Sequence, residues 1–265
     1  MLMRNILLIW LKLDFGAKEF DLDDPKTCFL HRDIILSKPF LKKVYNEWYG
    51  LIKNGLSDIP KGDVLEIGSG GGFFKDVFPS VITSDIMPLS YCDLCIDAIK
   101  IPFNDESLSA ITMINVFHHL SDCTQFLLEA QRTLKPSGKI VMIEPSNSFW
   151  SRFIYKNLHH EPFIPDAQTW AIQSSRPLSG ANGALPWIVF QRDSERFKLE
   201  YPQLHIKTLC YQFPISYLLS GGVSMKALLP GVAYPLIRFI EKKFTNRHFN
   251  MFYLIEVEKM TFQKP

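Results

Sequence analysis

The chain has 265 residues, 47% of them hydrophobic and 21% charged, with a formal net charge of +2 at pH 7. That length accommodates one large α/β domain with additions, and the composition excludes disordered and fibrous classes. No basic run exceeds Lys242-Lys243, so there is no general field for holding a polyanion, and nucleic acid is not an expected substrate.

Met1 to Leu13 is apolar with Arg4 near its start, but Lys12 and Asp14 interrupt it, and no small-residue cleavage site follows. It is far short of the ~20 residues of a membrane span and reads as an added helix or strand, a membrane-surface helix being the alternative. From Ser37 the sequence predicts a helix with Pro39 in its first turn. Leu41, Val44, Tyr45, Trp48, Leu51 and Ile52 fall on one face, Lys42, Lys43 and Lys53 on the other, and Gly55 ends it. This helix is expected on the edge of the main domain, and residues 1–60 read as an N-terminal helical extension.

Val64 to Phe74 reads as a buried strand running into a glycine turn and then a helix. Val64, Leu65 and Ile67 have the character of a parallel strand covered on both faces, and Gly68, Gly70 and Gly72 let the backbone turn sharply and approach a ligand. Glu66 is costly to bury unless a cation or hydrogen-bond donor meets it. The dinucleotide fingerprint wants glycine where Phe73 stands, and a phosphate loop wants Gly-Lys-Ser/Thr, whereas Lys75 follows two phenylalanines. What remains, an acid followed by G-x-G-x-G, resembles motif I of class I S-adenosylmethionine-dependent methyltransferases. Their cofactor carries an ammonium, a carboxylate and a sulfonium, so Glu66 can balance the cationic methionine end while backbone N–H groups receive the carboxylate.

A short helix ending by Phe78, before Pro79, leads to a second strand, Val81 to Ser84, closed by Asp85. Asp85 lies 19 positions after Glu66, near the ~20-residue spacing of a ribose-binding acid. The next crossover is abbreviated, with Pro88 leaving little room for a helix before a third strand at Leu94 to Ile96. Asp97-Ala98, followed by Pro102-Phe103, resembles the family motif in which an Asp bonds the adenine amino group. Ala110 to Asn115 is the fourth strand, and Asn115-Val116-Phe117-His118-His119-Leu120 is similar to a run in the small-molecule branch, including enzymes of quinone biosynthesis. Asp122 opens a helix carrying Phe126, Leu127, Ala130 and Leu134 at helical spacing. Leu134-Lys135-Pro136-Ser137-Gly138 stops it before a fifth strand, Lys139 to Glu144, and is again typical of the family. The resemblance covers about Asp63 to Pro145. It implies that Glu66, Gly68, Ser69, Gly70, Gly72, Asp85, Ile86, Asp97, Ala98 and Asn115 surround S-adenosylmethionine, and its product S-adenosylhomocysteine, in a cofactor-binding core at 61–145.

Residues 146–203 then carry Phe149, Trp150, Phe153, Tyr155, His159, His160, Phe163, Trp170, Trp187 and Phe190 amid prolines, and read as an inserted aromatic cap over the substrate. Trp150 to Leu158 is its first helix, and Leu178 to Pro186 a loop. Residues 204–265 complete the sheet with strands at Leu204 to Phe213 and Phe249 to Val257 around a helix at Leu236 to Phe244. Ser220-Gly221-Gly222 reads as a turn. The expected fold is α/β, a Rossmann-like seven-stranded, mostly parallel sheet with helices on both faces.

His119 or its neighbour His118, just after the fourth strand, is the candidate general base, needed only if the acceptor holds its proton at neutral pH. In family members a histidine there is often a structural contact instead. Trp150, Tyr155, His159, His160 and Trp170 are the candidate substrate pocket, since a ring face also attracts a sulfonium, although a packed cap core explains them too. His159 and His160 lie close to Glu161 and Asp166, and Cys92 and Cys95 form one C-x-x-C, but neither set has a second spaced pair, so no metal is expected. Five scattered cysteines suit a reducing cytoplasm. The sequence thus points to a cytoplasmic methyltransferase acting on a small-molecule or lipid- or glycan-linked acceptor, with peripheral membrane contact as a sub-hypothesis. A non-catalytic cofactor- or partner-binding module, and a nicotinamide (NAD-type) oxidoreductase, are the rival readings.

Overall fold

The computed structural model describes residues 23–159, 161–172 and 180–261. The expectation for Met1 to Leu13 lies outside them. Helix α1 (Pro25–Ser37) starts at Asp24, whose side chain accepts from Lys26 N–H, and runs into α2 (Pro39–Gly55). Then come β1 (Asp63–Ile67), the one-turn α3 (Phe74–Val77), β2 (Val81–Asp85) and a two-residue β3 (Leu94–Cys95) reached without a helix. β4 (Leu108–Ile114) leads through a 3-10 turn at Phe117–His119 to α4 (Cys123–Thr133), which Asp122 caps by accepting from Gln125 N–H. Leu134, expected on that helix, already belongs to β5 (Leu134–Pro145) and pairs with Leu108.

The seven strands form one sheet in the order β3-β2-β1-β4-β5-β7-β6, where β6 is Leu204–Gln212 and β7 is Phe252–Lys259. β1 pairs in parallel with β2 on one side and β4 on the other, and β7 runs antiparallel to both β5 and β6. The chain steps one way along the sheet from β1 to β3 and the other way from β4 to β5. Right-handed crossovers place the intervening elements on opposite faces, and a crevice opens between the carboxyl ends of β1 and β4. The expected sheet is therefore the one observed.

One expectation is corrected. α2 does not lie on the edge; Phe40, Leu41, Val44, Trp48, Tyr49 and Ile52 are all buried, a stripe that needs a partner along its whole length. That partner is the sheet beside β5 and β7. A Cβ on Gly55 would come within 2.9 Å of Val141, and the Trp48 ring packs 5.1 Å from Phe252 and 5.7 Å from Phe213. The lysines on the outer face misled the placement, because they report only that one side is wet.

Between β5 and β6 the chain forms α5 (Phe149–Leu158), with a capping box at Ser148 and Ser151, the short α6 (Leu185–Trp187) continuing into a π-turn, and α7 (Ser194–Glu200). Between β6 and β7 lie α8 (Ser216–Ser220) and α9 (Tyr234–Glu241). Most of the buried apolar side chains, from both sides of the sheet and from this inserted region, belong to one continuous core.

Candidate functional site

A cavity of about 670 Å³ lies at the carboxyl ends of β1, β2, β4 and β5, where the strand order reverses. Its floor is the glycine turn. Gly68 and Gly70 have φ of +67° and +47°, and a Cβ on Gly68 would fall 2.5 Å from Val116 Cγ2, so only glycine fits there. The turn is fixed by Ser69 N–H donating to Ser84 O at 2.9 Å and Phe73 N–H donating to the Tyr49 hydroxyl at 2.8 Å. Gly71 packs against the backbone of α1, and the Arg32 guanidinium donates to Gly72 O.

Glu66 faces this cavity, is only 5% exposed, and accepts a hydrogen bond from Ser69 Oγ at 2.5 Å. Burial pushes its carboxyl up to about 7; the Ser69 hydrogen bond and the Arg32 charge oppose the rise, and the Asp85 carboxylate adds to it. Asp85, also buried, accepts from Gly70 N–H at 2.8 Å and Met87 N–H at 3.0 Å, bonds that only partly offset the upward pull of burial on its own carboxyl. Both acids are therefore held close together with little solvation, an arrangement that a cationic or hydroxyl-bearing ligand relieves. Ile86, Asp97, Ala98 and Asn115 line the same cavity. Asn115 sits at φ +56°, which asparagine tolerates, and its Oδ1 is buried with no hydrogen-bond partner among the described residues. A buried orphan acceptor beside a cavity fits a ligand that donates to it.

At the other end, Glu144 on β5 is fully buried. Its Oε1 accepts from Val116 N–H and Phe117 N–H, each at 2.8 Å, and its Oε2 lies 2.7 Å from His118 Nδ1. His118 Nε2 is 3.4 Å from Glu161 Oε2, and His119 Nε2 is 3.8 Å from Glu161 Oε1. Burial disfavours charge on His118, but Glu144 and Glu161 outweigh it and raise the imidazole to about 9. Burial and the neighbouring His118 push His119 down to about 4, so its ring is neutral at pH 7. Glu161 is buried enough to be pushed up, yet the histidines hold it well below the usual carboxylate range. Tyr155 stacks on Phe163 with ring centroids 5.1 Å apart and donates to Met251 O at 2.8 Å.

Residues 65–142 match the methyltransferase-domain family. This core is a class I S-adenosylmethionine-dependent methyltransferase domain. Over short stretches the chain is similar to a demethylmenaquinone methyltransferase of Streptomyces avermitilis, 35% identical over 57 residues, which are 22% of this chain and 25% of that one. It is also similar to a ubiquinone/menaquinone biosynthesis C-methyltransferase of Geotalea daltonii, 38% identical over 65 residues, 24% of this chain and 26% of that one. The matched stretches thus span about a quarter of the length of these relatives. Among solved structures, the geranyl diphosphate C-methyltransferase of Streptomyces coelicolor, solved with Mg2+, geranyl diphosphate and S-adenosyl-L-homocysteine, superposes with a TM-score of 0.51 at 12% identity. That superposition covers 92% of this chain and 86% of that one, and it shows a shared fold.

Around this methyltransferase domain the structure brings Glu66, Gly68, Ser69, Gly70, Gly72, Asp85, Ile86, Asp97, Ala98, Asn115, His118, His119, Tyr155 and His159 to one cavity wall. Two of the residues expected in the substrate pocket lie elsewhere. Trp150 donates from Nε1 to Pro214 O at 2.6 Å and packs on Phe249; Trp170 is buried, donates to Asp193 at 2.8 Å and lies beneath the Arg196 guanidinium. Both carry packing, for which a tryptophan in an aromatic-rich segment is just as suited. His160 lies outside the described residues. Sequence reasoning missed Cys28 and His31 on α1, Tyr45 and Tyr49 on α2, and Tyr217, Leu218 and the stretch from Gly221 to Met225, all on the wall. The positive φ of Gly221 and Gly222 was legible as a turn, but nothing local shows that the turn faces a cavity.

Proposed function

We propose that this protein transfers a methyl group from S-adenosylmethionine to a small, largely apolar acceptor held in the same cavity. The observation that carries the reading is the continuity of that cavity: it runs from Glu66, Asp85, Asp97 and Asn115 to Tyr155, Phe163, His118 and His119. Its volume, about 670 Å³, is in the range of small-molecule sites. Glu66 meets the methionine ammonium, Asp85 the ribose hydroxyls and Asp97 the adenine amino group, with Asn115 Oδ1 accepting from the cofactor or acceptor. Methyl transfer from a sulfonium is an in-line displacement, so holding donor and acceptor in register without water supplies most of the rate, ~7–11 kcal/mol in favourable cases. For an acceptor that must lose a proton, His119 is the available base: its Nδ1 lies 3.1 Å from Gly180 O, which leaves the lone pair on Nε2.

The acceptor is lipid-like in this reading, and the support is α9. Its inner side is the polar one: Arg238 pairs with Glu47 and the fully buried Glu241, which also accepts from Ser216 N–H at 2.8 Å. Its outer side presents Leu236 and Phe239, with Val232 just before the helix and Phe244 just after it, all at 58–82% exposure, beside exposed Lys242, Lys243 and Arg247. An apolar face rimmed by cations fits the surface of an anionic bilayer. No helix among the described residues is long and apolar enough to cross one. Five unpaired cysteines fit a reducing cytoplasm as the place of action.

Calorimetry with S-adenosylhomocysteine and with NAD+ separates the cofactor readings; binding of the dinucleotide in place of S-adenosylhomocysteine overturns the proposal. Cell extract supplied with methyl-labelled cofactor tests turnover. Release of S-adenosylhomocysteine that is lost in Gly70→Asp supports an enzyme, and tight cofactor binding with no turnover in any extract leaves a non-catalytic module instead.

A further inference from the structure

We propose that His118, His119 and Glu161 form a binding site for one divalent transition-metal ion of the Zn2+ class, with a coordination position open to the cavity. One ligand atom from each residue lies within 4.8 Å of the others. The two nitrogen–oxygen separations are 3.4 Å and 3.8 Å. Metal–ligand bonds of ~2.0–2.2 Å at tetrahedral angles set neighbouring ligand atoms about 3.4 Å apart; His118 Nε2 and Glu161 Oε2 are at that separation, and the remaining pairs, within 4.8 Å, would draw in to close the site.

The decisive feature is on the far side of both rings. His118 Nδ1 meets the Glu144 carboxylate at 2.7 Å, and His119 Nδ1 meets the Gly180 carbonyl at 3.1 Å. A carbonyl can only accept, so His119 carries its hydrogen on Nδ1 and turns a lone pair on Nε2 toward Glu161. Glu144, already taking two backbone N–H bonds, holds His118 in the matching orientation. Histidine ligands of metals are held in this way, by a carboxylate or carbonyl on the other ring nitrogen, which fixes tautomer and aim together. Electrostatics agree. Glu144 and Glu161 put two carboxylates around one imidazole in a nearly dry place, and a dication balances them more fully than a single proton does. The donor set, two imidazoles and one carboxylate, suits Zn2+, Fe2+ or Co2+ and not Mg2+ or Ca2+, which take oxygen ligands. His159 Nδ1, 3.7 Å from Glu161 Oε2, accepts from Glu161 N–H at 3.3 Å and stands at the margin of the cluster.

All three ligands line the cavity, so three protein ligands leave a position for water or for an oxygen of the acceptor; with the ion in place the lone pair of His119 Nε2 is a ligand and no longer a base, so the base role above belongs to the metal-free protein. The ion would also tie the segment carrying Glu161 to the turn after β4. The competing account is an ion triad in which a protonated His118 bridges the two carboxylates and His119 merely packs against it, ring centroids 4.2 Å apart.

The test uses the full chain after chelator treatment, titrated with Zn2+ by calorimetry and with Co2+ by visible absorption. One equivalent of each is expected, the Co2+ spectrum free of thiolate charge transfer. His119→Ala and Glu161→Gln should each weaken binding at least 100-fold, and Glu144→Gln 10- to 100-fold. Cys92→Ser with Cys95→Ser should change nothing. His119→Ala is the primary variant, because removing that neutral ring strands no buried charge; retained circular dichroism confirms its fold. Absence of stoichiometric binding overturns the proposal and leaves the ion triad. So does binding that survives His119→Ala and Glu161→Gln, or that disappears with the cysteines. These outcomes are read without methyl transfer, so they stand or fall apart from the proposed reaction.

Discussion

Glu66→Gln tests the proposed contact between a buried acid and the cationic end of the cofactor. Burial lifts the Glu66 carboxyl from the usual range to about 7. At pH 6 about nine-tenths of it is then protonated in the unliganded protein, and at pH 8 about nine-tenths is ionised. A methionine ammonium binds the ionised form, so wild-type affinity for S-adenosylhomocysteine should fall about tenfold from pH 8 to pH 6 as a proton must first be released. The ligand's own amine titrates equally for both proteins, and the amide of the variant cannot titrate, so the tenfold excess in the wild-type curve belongs to Glu66. Stability moves the other way. The folded state holds this proton more tightly than the unfolded chain, so the stabilising contribution is complete below pH 4.5 and is lost as pH rises through about 7. The shift of about 2.5 pH units is worth about 3 kcal/mol, and the amide oxygen of the variant can still accept from Ser69. Ligand-free Glu66→Gln should therefore unfold at higher denaturant than wild type at pH 8, and at nearly equal denaturant at pH 4. Parallel affinity curves for the two proteins in calorimetry, or a variant less stable at pH 8, would refute the reasoning.

Three further changes probe the rest of the site. Asp85→Ala removes a predicted partner of the ribose hydroxyls and a clamp on Gly70 and Met87; S-adenosylhomocysteine affinity should fall about 10- to 100-fold, and an unchanged calorimetric Kd would remove Asp85 from the site. Gly68→Ala places a methyl 2.5 Å from Val116 at φ +67°, so thermal unfolding should show a loss of about 2–4 kcal/mol, and a wild-type Tm would mean that the turn relaxes freely. Leu236→Glu with Phe239→Glu alters only the exposed face of α9; sedimentation with anionic vesicles should fall while S-adenosylhomocysteine affinity holds, and equal sedimentation would discard the bilayer reading.

The gathering of Glu66, the glycines and Asp85 at one cavity was legible because its signals are local. Glu66, the glycines and Asp85 occupy one β-turn-α-β unit, where the strand fixes the direction of the turn and residue types report on backbone geometry directly. The two closing strands were legible as apolar runs, and their antiparallel pairing came from the family resemblance rather than from any local signal. What failed was placement across distance. The stripe on α2 announced burial without naming a partner, and Trp150 and Trp170 announced aromatic packing without saying whether a cavity or a core received them.

The histidines carry that limit furthest. In the sequence, His159 and His160 beside Glu161 look like the pair worth weighing as ligands, because adjacency is all a sequence displays. In the fold, Glu161 turns instead to His118 and His119, more than forty positions earlier, and those two are aimed by Glu144 from β5 and by the carbonyl of Gly180. Three of these contacts join the turn after β4 to the inserted region and the fourth joins that turn to β5, so no spacing rule could bring them together. The sheet does so by placing the end of β4 next to the end of β5, which puts Glu144 under His118 through the same register that pairs Ile114 with Ile143. Glu161 is thus the arm of the cluster that no motif in the first five strands could announce, because it comes from the inserted region.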